Sequence, residues 1–303
     1  MQNLPQIIGS ILLAIVPVLV WGTLFYIKRP INKSFSVVTF IAGALAVFPI
    51  LLYKTSWTYL PWVNAFNFAE KYKQDYIGLD RVGTVSLSVL ITFMLVGVIE
   101  ELMKYFAVEM TDDDKLLSID DSIAFFIIAA LGFSFTENIL YFYNIWVRDG
   151  GQNIFTPFIF RATFSTFAHV MFSGILGYYH GVAEFAKPIL QEEMRAKRRR
   201  PTLWFHKIVN RKKVKEFHQE KMFEGLLIAI GLHAIFNILL EMTLTFLIVP
   251  FLVAGYITLT YLFAKKENQK KYGLLLEGER NHIRNPHRNY FGFIRKIFGK
   301  EMD

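Results

Sequence analysis

The chain has 303 residues, of which 53% are hydrophobic and 19% are charged, and its formal net charge is +8. Soluble domains contain about 45–50% apolar and about 25% charged residues, so this composition excludes an ordinary soluble enzyme and a largely disordered chain. The absence of cysteine excludes disulfide bonds, thiolate zinc sites and a cysteine nucleophile.

A membrane-spanning helix needs about 20 predominantly apolar residues. The sequence contains such runs at residues 7–27, 35–53, 84–107, 122–146, 158–182, 222–241 and 244–263. We therefore predict an all-α membrane protein, a polytopic bundle of about seven transmembrane helices. The last two spans are separated only by residues 241–243, which are expected to form a tight turn.

Lysine and arginine are unequally distributed between the two sides of this bundle. Most of them lie in segments 28–34, 108–121, 183–221 and 264–303, which fall on one side if there are seven spans. Because positively charged loops remain in the cytoplasm, the N-terminus is predicted outside and the C-terminus inside.

Three regions are predicted along the chain. Residues 1–82 hold two transmembrane helices and an outer aromatic loop, residues 83–263 form a five-helix core, and residues 264–303 are a basic, amphipathic cytoplasmic tail. The core includes the basic cytoplasmic loop 183–221. Basic segments beside a membrane attract anionic lipid, so we expect the loop and the tail to contact lipid head groups, and we expect no nucleic-acid partner.

Charged residues inside the spans are the first candidates for function, because each costs about 2.5–3.5 kcal/mol at the bilayer centre on insertion scales. The third span contains Glu100, Glu101 and Lys104. Either glutamate can share a helical face with the lysine at these spacings. Since one lysine neutralises one carboxylate, the second glutamate needs a partner on another helix, a proton, or a function.

The next three spans each add polar residues. Span four carries Glu137 and Asn138, with no basic residue within one turn of the glutamate. Span five carries His169 near its middle, and span six carries His233 and Asn237 on one face. Polar clusters on four consecutive spans can converge inside one bundle.

Two other ionisable residues of span five are assigned to its ends. Arg161 lies close to the outer end, where a long side chain can reach the interface. His180 lies about 16 Å beyond His169 along a helix axis, so the two histidines cannot share one metal ion. We expect His180 at the membrane interface.

This combination of residues supports peptide hydrolysis in two ways. A glutamate can act as general base and then as general acid, with histidine and asparagine stabilising the oxyanion. Alternatively, Glu137, His169 and His233 form a Zn²⁺ ligand set with an open position for water, although the soluble H-E-x-x-H signature is absent. Two other classes also fit: an ion- or proton-coupled transporter, and a non-enzymatic membrane immunity or scaffold protein whose polar residues join helices.

Four short motifs occur in order on the third to sixth spans. They are E-E-x-x-K at 100–104, F-x-x-x-E-N at 133–138, a histidine with an aromatic residue three positions later at 169–172, and H-x-x-x-N at 233–237. In this order, with each motif in a span, the sequence resembles the PrsW family of intramembrane proteases, which is distantly related to the CAAX prenyl protease and bacteriocin self-immunity group.

The resemblance implies a bacterial multi-pass protease of the cell membrane that cuts a single-pass, membrane-anchored regulator such as an anti-sigma factor. The glutamate, histidine and asparagine residues that it implies for the site are Glu100, Glu101, Glu137, Asn138, His169, His233 and Asn237. The family is treated both as metal-dependent and as glutamate-based, so whether Zn²⁺ is required stays open.

We interpret Glu101 as the base that activates water and Glu100 as the ion-pair partner of Lys104. The two intramembrane histidines then act as ligands or oxyanion donors, which Asn138 and Asn237 orient. One difficulty is depth, because the glutamates of span three lie toward the cytoplasmic end and the glutamate of span four lies toward the outside.

Overall fold

A computed structural model describes residues 3–28, 33–78, 84–112, 116–195, 213–265 and 270–272. The helices are α1 Leu4–Lys28, α2 Lys33–Leu45, α3 Val47–Ser56, α4 Phe66–Glu70, α5 Leu87–Asp112, α6 Ile119–Asp149, α7 Phe155–Phe160, α8 Thr166–Glu184, α9 Ala186–Arg195, α10 Lys213–Glu241 and α11 Thr245–Ala264. Two short strands, β1 Tyr76–Gly78 and β2 Thr84–Ser86, pair antiparallel with Ile77 opposite Val85.

Six segments of the described chain are long and apolar enough to cross a membrane: Leu4–Phe25, Ser36–Ser56, Ile119–Asp149, Phe155–Glu184, Val214–Glu241 and Thr245–Ala264. They confirm the predicted all-α, multi-pass membrane architecture. The remaining predicted span, 84–107, is the third along the chain and is present as the 26-residue helix α5. Its charged residues leave it outside this apolar set. The orientation of the bundle and its division into three regions stay predictions.

Helix α6 lies at the centre of the bundle, where it packs against α1, α2, α5 and α8. A capping box between Ser118 and Asp121 closes its N-terminus, and Gly150 in the left-handed conformation (φ +62°) ends it. These caps satisfy backbone groups that a helix end leaves without partners. Helix α8 also packs against α10, and α10 against α5, so α5, α6, α8 and α10 enclose a common interior.

The outer surface of the bundle is apolar. Leu12 and Leu19 on α1 and Ile257 on α11 are each 60% exposed or more. Water disfavours so much exposed apolar surface, whereas lipid accommodates it. In the loop between α3 and α5, Tyr59 and Trp62 are each 80% exposed, and their position at a membrane interface stays a prediction.

Small residues bring the helix backbones into contact. A Cβ on Gly43 would lie 2.1 Å from the carbonyl oxygen of Ala129, and a Cβ on Gly132 would lie 2.0 Å from that of Phe40. On the other side, a Cβ on Gly97 would lie 3.0 Å from the carbonyl oxygen of Ile230. Small residues permit such approaches in membrane helices, and they fix α2 against α6 and α5 against α10.

Three interruptions shape the spans. The second span bends at Ala46, between α2 and α3. The fifth contains one π-helical segment, Arg161–Ser165, between α7 and α8, and π-bulges of this kind are frequent at functional sites. The predicted tight turn between the last two spans is confirmed, with Thr243 at φ 56°.

The two longest segments outside the described residues both belong to the predicted cytoplasmic side. They are residues 196–212, the centre of the basic loop 183–221, and residues 273–303, which include the predicted amphipathic tail helix. At the borders of the loop, α9 and the first turns of α10 are helical.

We expect Gly43→Ala to lower the free energy of unfolding by about 1–3 kcal/mol, the usual cost of overpacking, because the new methyl group meets the Ala129 carbonyl. The same change at Gly231, where a Cβ meets no heavy atom within 4 Å, serves as control and should stabilise the helix slightly. Thermal unfolding of the detergent-solubilised variants measures the difference. Equal unfolding midpoints for the two variants would contradict the close contact of α2 with α6.

Candidate active site

The four helices around the common interior place their ionisable side chains in one connected group. The residues that share direct polar contacts there are Glu100, Glu101, Lys104, Glu137, His169 and His233. Buried charges require partners, because the low dielectric strengthens attraction and makes an unpaired charge costly. The geometry of each contact therefore determines what each residue can do.

Glu101 is the best-satisfied member of the group. Its Oε1 lies 2.7 Å from Lys104 Nζ and 2.9 Å from His233 Nδ1, and its Oε2 accepts a hydrogen bond of 3.3 Å from Ser173. Glu101 and Lys104 are both 0% exposed. A carboxylate accepts hydrogen bonds, so His233 donates through Nδ1, and its Nε2 is left to face the interior.

The tautomer of His169 is also fixed by its neighbours. Lys104 Nζ lies 2.9 Å from His169 Nδ1, and Glu137 Oε2 lies 3.0 Å from His169 Nε2. An ammonium group only donates, so Nδ1 accepts and Nε2 carries the proton that is donated to Glu137. The ring thereby connects α5 with α6, which resolves the predicted difference in depth between their glutamates.

Glu137 receives its cation from a different helix. Arg161 places a guanidinium nitrogen 2.8 Å from Glu137 Oε2, and its Nε donates to Asn138 Oδ1 at 2.5 Å. The Asn138 amide in turn donates to Thr166. The expectation that Arg161 extends to the interface is therefore wrong, because two acceptors on α6 hold it inside the bundle.

Glu100 is the carboxylate of this group that has a buried oxygen without a hydrogen bond. Its Oε2 is buried, has no hydrogen-bond partner among the described residues, and lies 3.6 Å from His233 Nε2. Ligand atoms of Glu100, His169 and His233 all lie within 4.8 Å of one another. These three residues are the members of the group whose ligand atoms could hold a metal ion.

Aromatic rings cover the two histidines. Phe172 stacks on His233 with ring centroids 5.2 Å apart, and Phe133 lies 5.8 Å from His169 and 4.7 Å from Lys104 Nζ. Both phenylalanines are almost fully buried. By excluding water, they strengthen every electrostatic contact in the group.

Comparison with known proteins identifies the family to which the chain belongs. The family described as PrsW family intramembrane metalloprotease matches residues 32–263. The chain belongs to the PrsW family. It is 30% identical over 185 residues to "Protease PrsW" of Geobacillus kaustophilus (strain HTA426), an alignment that covers 59% of this chain and 65% of the relative, which is less than two thirds of the relative's length. No solved structure matches.

Within the PrsW-family site, one predicted pairing is wrong. Lys104 pairs with Glu101, three residues away, and not with Glu100. Both spacings put a glutamate near the lysine, so the sequence alone could not decide between them. In the structure the other oxygen of Glu101 is also engaged, because it accepts a hydrogen bond from Ser173.

Two further residues complete the comparison with the predicted site. Asn237 is one turn beyond His233, but its side chain makes no hydrogen bond to any residue the structure describes, so its role in orienting other groups stays a prediction. His180, expected at the interface, is 1% exposed and lies 2.8 Å from Glu109. The ring is enclosed between Glu109 on α5 and Ser122 on α6, so it is not on the bundle surface, and its depth at the membrane interface stays a prediction.

We expect Lys104→Met to destabilise the protein by about 3–5 kcal/mol, since it leaves Glu101 as a buried charge without its cation. Combining it with Glu101→Gln should recover much of this loss, because a glutamine can still accept from His233. Denaturant-induced unfolding in detergent measures this double-mutant cycle. Lys73→Met, which removes an exposed partner of Glu70, is the control. Additive effects at Lys104 and Glu101 would contradict their direct pairing.

Proposed function

We propose that this PrsW-family protein is an intramembrane endopeptidase, and that Glu100 accepts a proton from the water that attacks the peptide bond. Glu101, which the sequence favoured as this base, has both oxygens engaged by Lys104, His233 and Ser173. The observation that carries the proposal is the pair of facing acceptors, Glu100 Oε2 and His233 Nε2, 3.6 Å apart. Glu101 fixes His233 with its proton on Nδ1, so neither of the facing atoms is a donor when the glutamate is ionised and the histidine neutral.

A water molecule satisfies this pair by donating one hydrogen to each acceptor. As its oxygen bonds to the peptide carbonyl carbon, Glu100 takes one proton. The C–N bond then breaks while the carboxylic acid returns that proton to the leaving nitrogen, which balances the hydrolysis. The buried carboxylate suits this role because its Oε2 has no described hydrogen bond that would lower its basicity.

Arg161 and Asn237 supply the donors that the developing oxyanion needs. A guanidinium nitrogen of Arg161 pairs with Glu137 but has no hydrogen bond of good geometry in the described structure. Asn237 lies on the His233 face with its amide group not engaged by described residues. Donors positioned for a developing negative charge commonly contribute about 100–1,000-fold to the rate.

The residues present also fit a divalent ion, as the family description implies. Glu100, His169 and His233 would hold it, and Zn²⁺ suits one carboxylate with two imidazoles. When bound, the ion would polarise the scissile carbonyl and make water more acidic. His169 joins this set only if it exchanges its bonds to Lys104 and Glu137. Glu137, expected among the ligands, is held by Arg161 instead.

The substrate class follows from the family resemblance and the predicted topology. We propose a single-pass membrane protein, of the anti-sigma-factor type, whose transmembrane segment unfolds locally beside the site. A proton-coupled transporter would use the same buried glutamates. Release of a peptide fragment distinguishes the two functions, because a peptidase produces such a fragment and a transporter does not.

We expect Glu100→Gln to reduce cleavage of a co-expressed single-pass substrate by at least about 100-fold, the usual contribution of a general base, while the unfolding temperature stays near that of wild type. Fragment release on an immunoblot measures the effect. Glu241→Gln, at the exposed end of α10, is the matched control. Cleavage by Glu100→Gln at the wild-type rate would remove this residue from the mechanism.

Metal dependence is decided by a second measurement. If Glu100 and His233 work without an ion, cleavage by the purified protein persists after exhaustive treatment with a chelator. His233→Gln then loses activity, while its zinc content equals that of the wild-type protein. If Zn²⁺ is required, the chelator abolishes cleavage, added zinc restores it, and zinc content falls in His233→Gln. Parallel assays of fragment release and zinc content distinguish the two routes.

A further inference from the structure

We propose a second metal site, distinct from the active site, formed by Glu109 on α5 with His180 and Glu184 on α8. Ligand atoms of these three residues lie within 4.8 Å of one another. The second site is about 16 Å from the first along α8, at 1.5 Å per residue. On the predicted topology it faces the cytoplasmic side of the bundle.

The orientation of the His180 ring is fixed as in metal sites. Ser122 has one hydroxyl hydrogen, which it donates to the carbonyl oxygen of Gly177 at 2.8 Å. It therefore accepts from His180 Nδ1, 2.9 Å away, and Nδ1 carries the proton. Nε2 is the nitrogen directed at Glu109 Oε1, 2.8 Å away. A ligating histidine commonly uses its second N–H in this way to fix its tautomer.

The chemistry of the cluster suits a divalent cation. A divalent cation bound between the two carboxylates would offset their mutual repulsion, since ligand atoms of all three residues lie within 4.8 Å of one another. Their side chains are only 16% and 14% exposed, so water screens this repulsion poorly. One imidazole and two carboxylates form a ligand set that Zn²⁺ accepts, with Mn²⁺ as the harder alternative.

Further contacts support the site from outside and from behind. His218 on α10 places Nε2 3.0 Å from Glu184 Oε1 and orients that carboxylate. Behind His180, a Cβ on Gly177 would meet the Ile123 Cα at 2.8 Å, so α8 is held directly against α6. A metal ion here would connect α5 with α8, the two helices that also carry Glu101 and His169.

Zinc content of the full-length protein in detergent tests the proposal independently of cleavage. After equilibration with ZnCl₂ and gel filtration, we expect His233→Gln, which disables the first trio, to retain one zinc per chain. Adding His180→Gln should remove that zinc. Absence of zinc from a folded His233→Gln variant would overturn the second site. Retention of zinc in the double variant would overturn it equally.

Other variants keep the test decisive if the buried His180 change prevents folding. Glu184→Gln, near the edge of the cluster, should also remove the zinc from the His233→Gln background. His218→Gln should weaken its binding about 10–100-fold, as loss of an outer-shell partner does. Glu224→Gln, whose partner is Lys221 on the same helix, is the control and should change nothing. If His218→Gln binds zinc as tightly as this control, the support assigned to His218 is wrong.

The same series distinguishes failure of this site from failure of the proposed function. Zinc that is lost on His233→Gln and retained on His180→Gln assigns the metal to the first trio alone and overturns the second site. Zinc with the opposite dependence confirms the second site, whatever chelation does to cleavage. A Co²⁺ absorption spectrum that changes on Glu109→Gln would identify the carboxylate as a ligand directly.

Discussion

The buried ion pair of Lys104 with Glu101 is the interaction on which the site depends. Burying one charge is strongly unfavourable, and a pair is tolerated only when additional hydrogen bonds satisfy both members. Ser173 and His233 complete the shell of the carboxylate, and His169 completes that of the ammonium group. The ion pair therefore requires both histidine side chains at their observed positions.

The same pair sets the chemistry of the histidines in opposite ways. The carboxylate accepts a hydrogen bond from His233 Nδ1, which leaves Nε2 as an acceptor facing Glu100. The ammonium group donates to His169 Nδ1, which makes Nε2 a donor to Glu137. One ion pair therefore produces an acceptor and a donor from two chemically identical rings. This difference explains why one histidine lies beside the proposed base and the other beside an anchored carboxylate.

Much of the architecture was predictable from the sequence. Apolar runs give the number and length of the spanning helices, and charged residues within these runs indicate which helix faces line the interior of the bundle. Because lipid disfavours polar side chains, those of the four spans were expected to meet at a shared centre inside the bundle. The pairing inside that centre was not predictable, since Glu100 and Glu101 are equally placed relative to Lys104 along a helix. The role of Arg161 was also missed, because its partners lie on α6 and the π-helical segment that begins at Arg161 has no sequence signal that we recognise.

Precise helix packing is what lets short side chains complete these contacts. Gly97 brings α5 within contact of the α10 backbone, which places Glu101 beside His233. A shift of one helix past another by a single turn, about 5.4 Å, would break the hydrogen bonds that join those two helices in the group. Helices α5 and α8 carry polar contacts at two depths, His169 with Lys104 and His180 with Glu109. Because contacts at two depths fix both the position and the tilt of a helix pair, the second cluster constrains the geometry of the first even though the two share no residue.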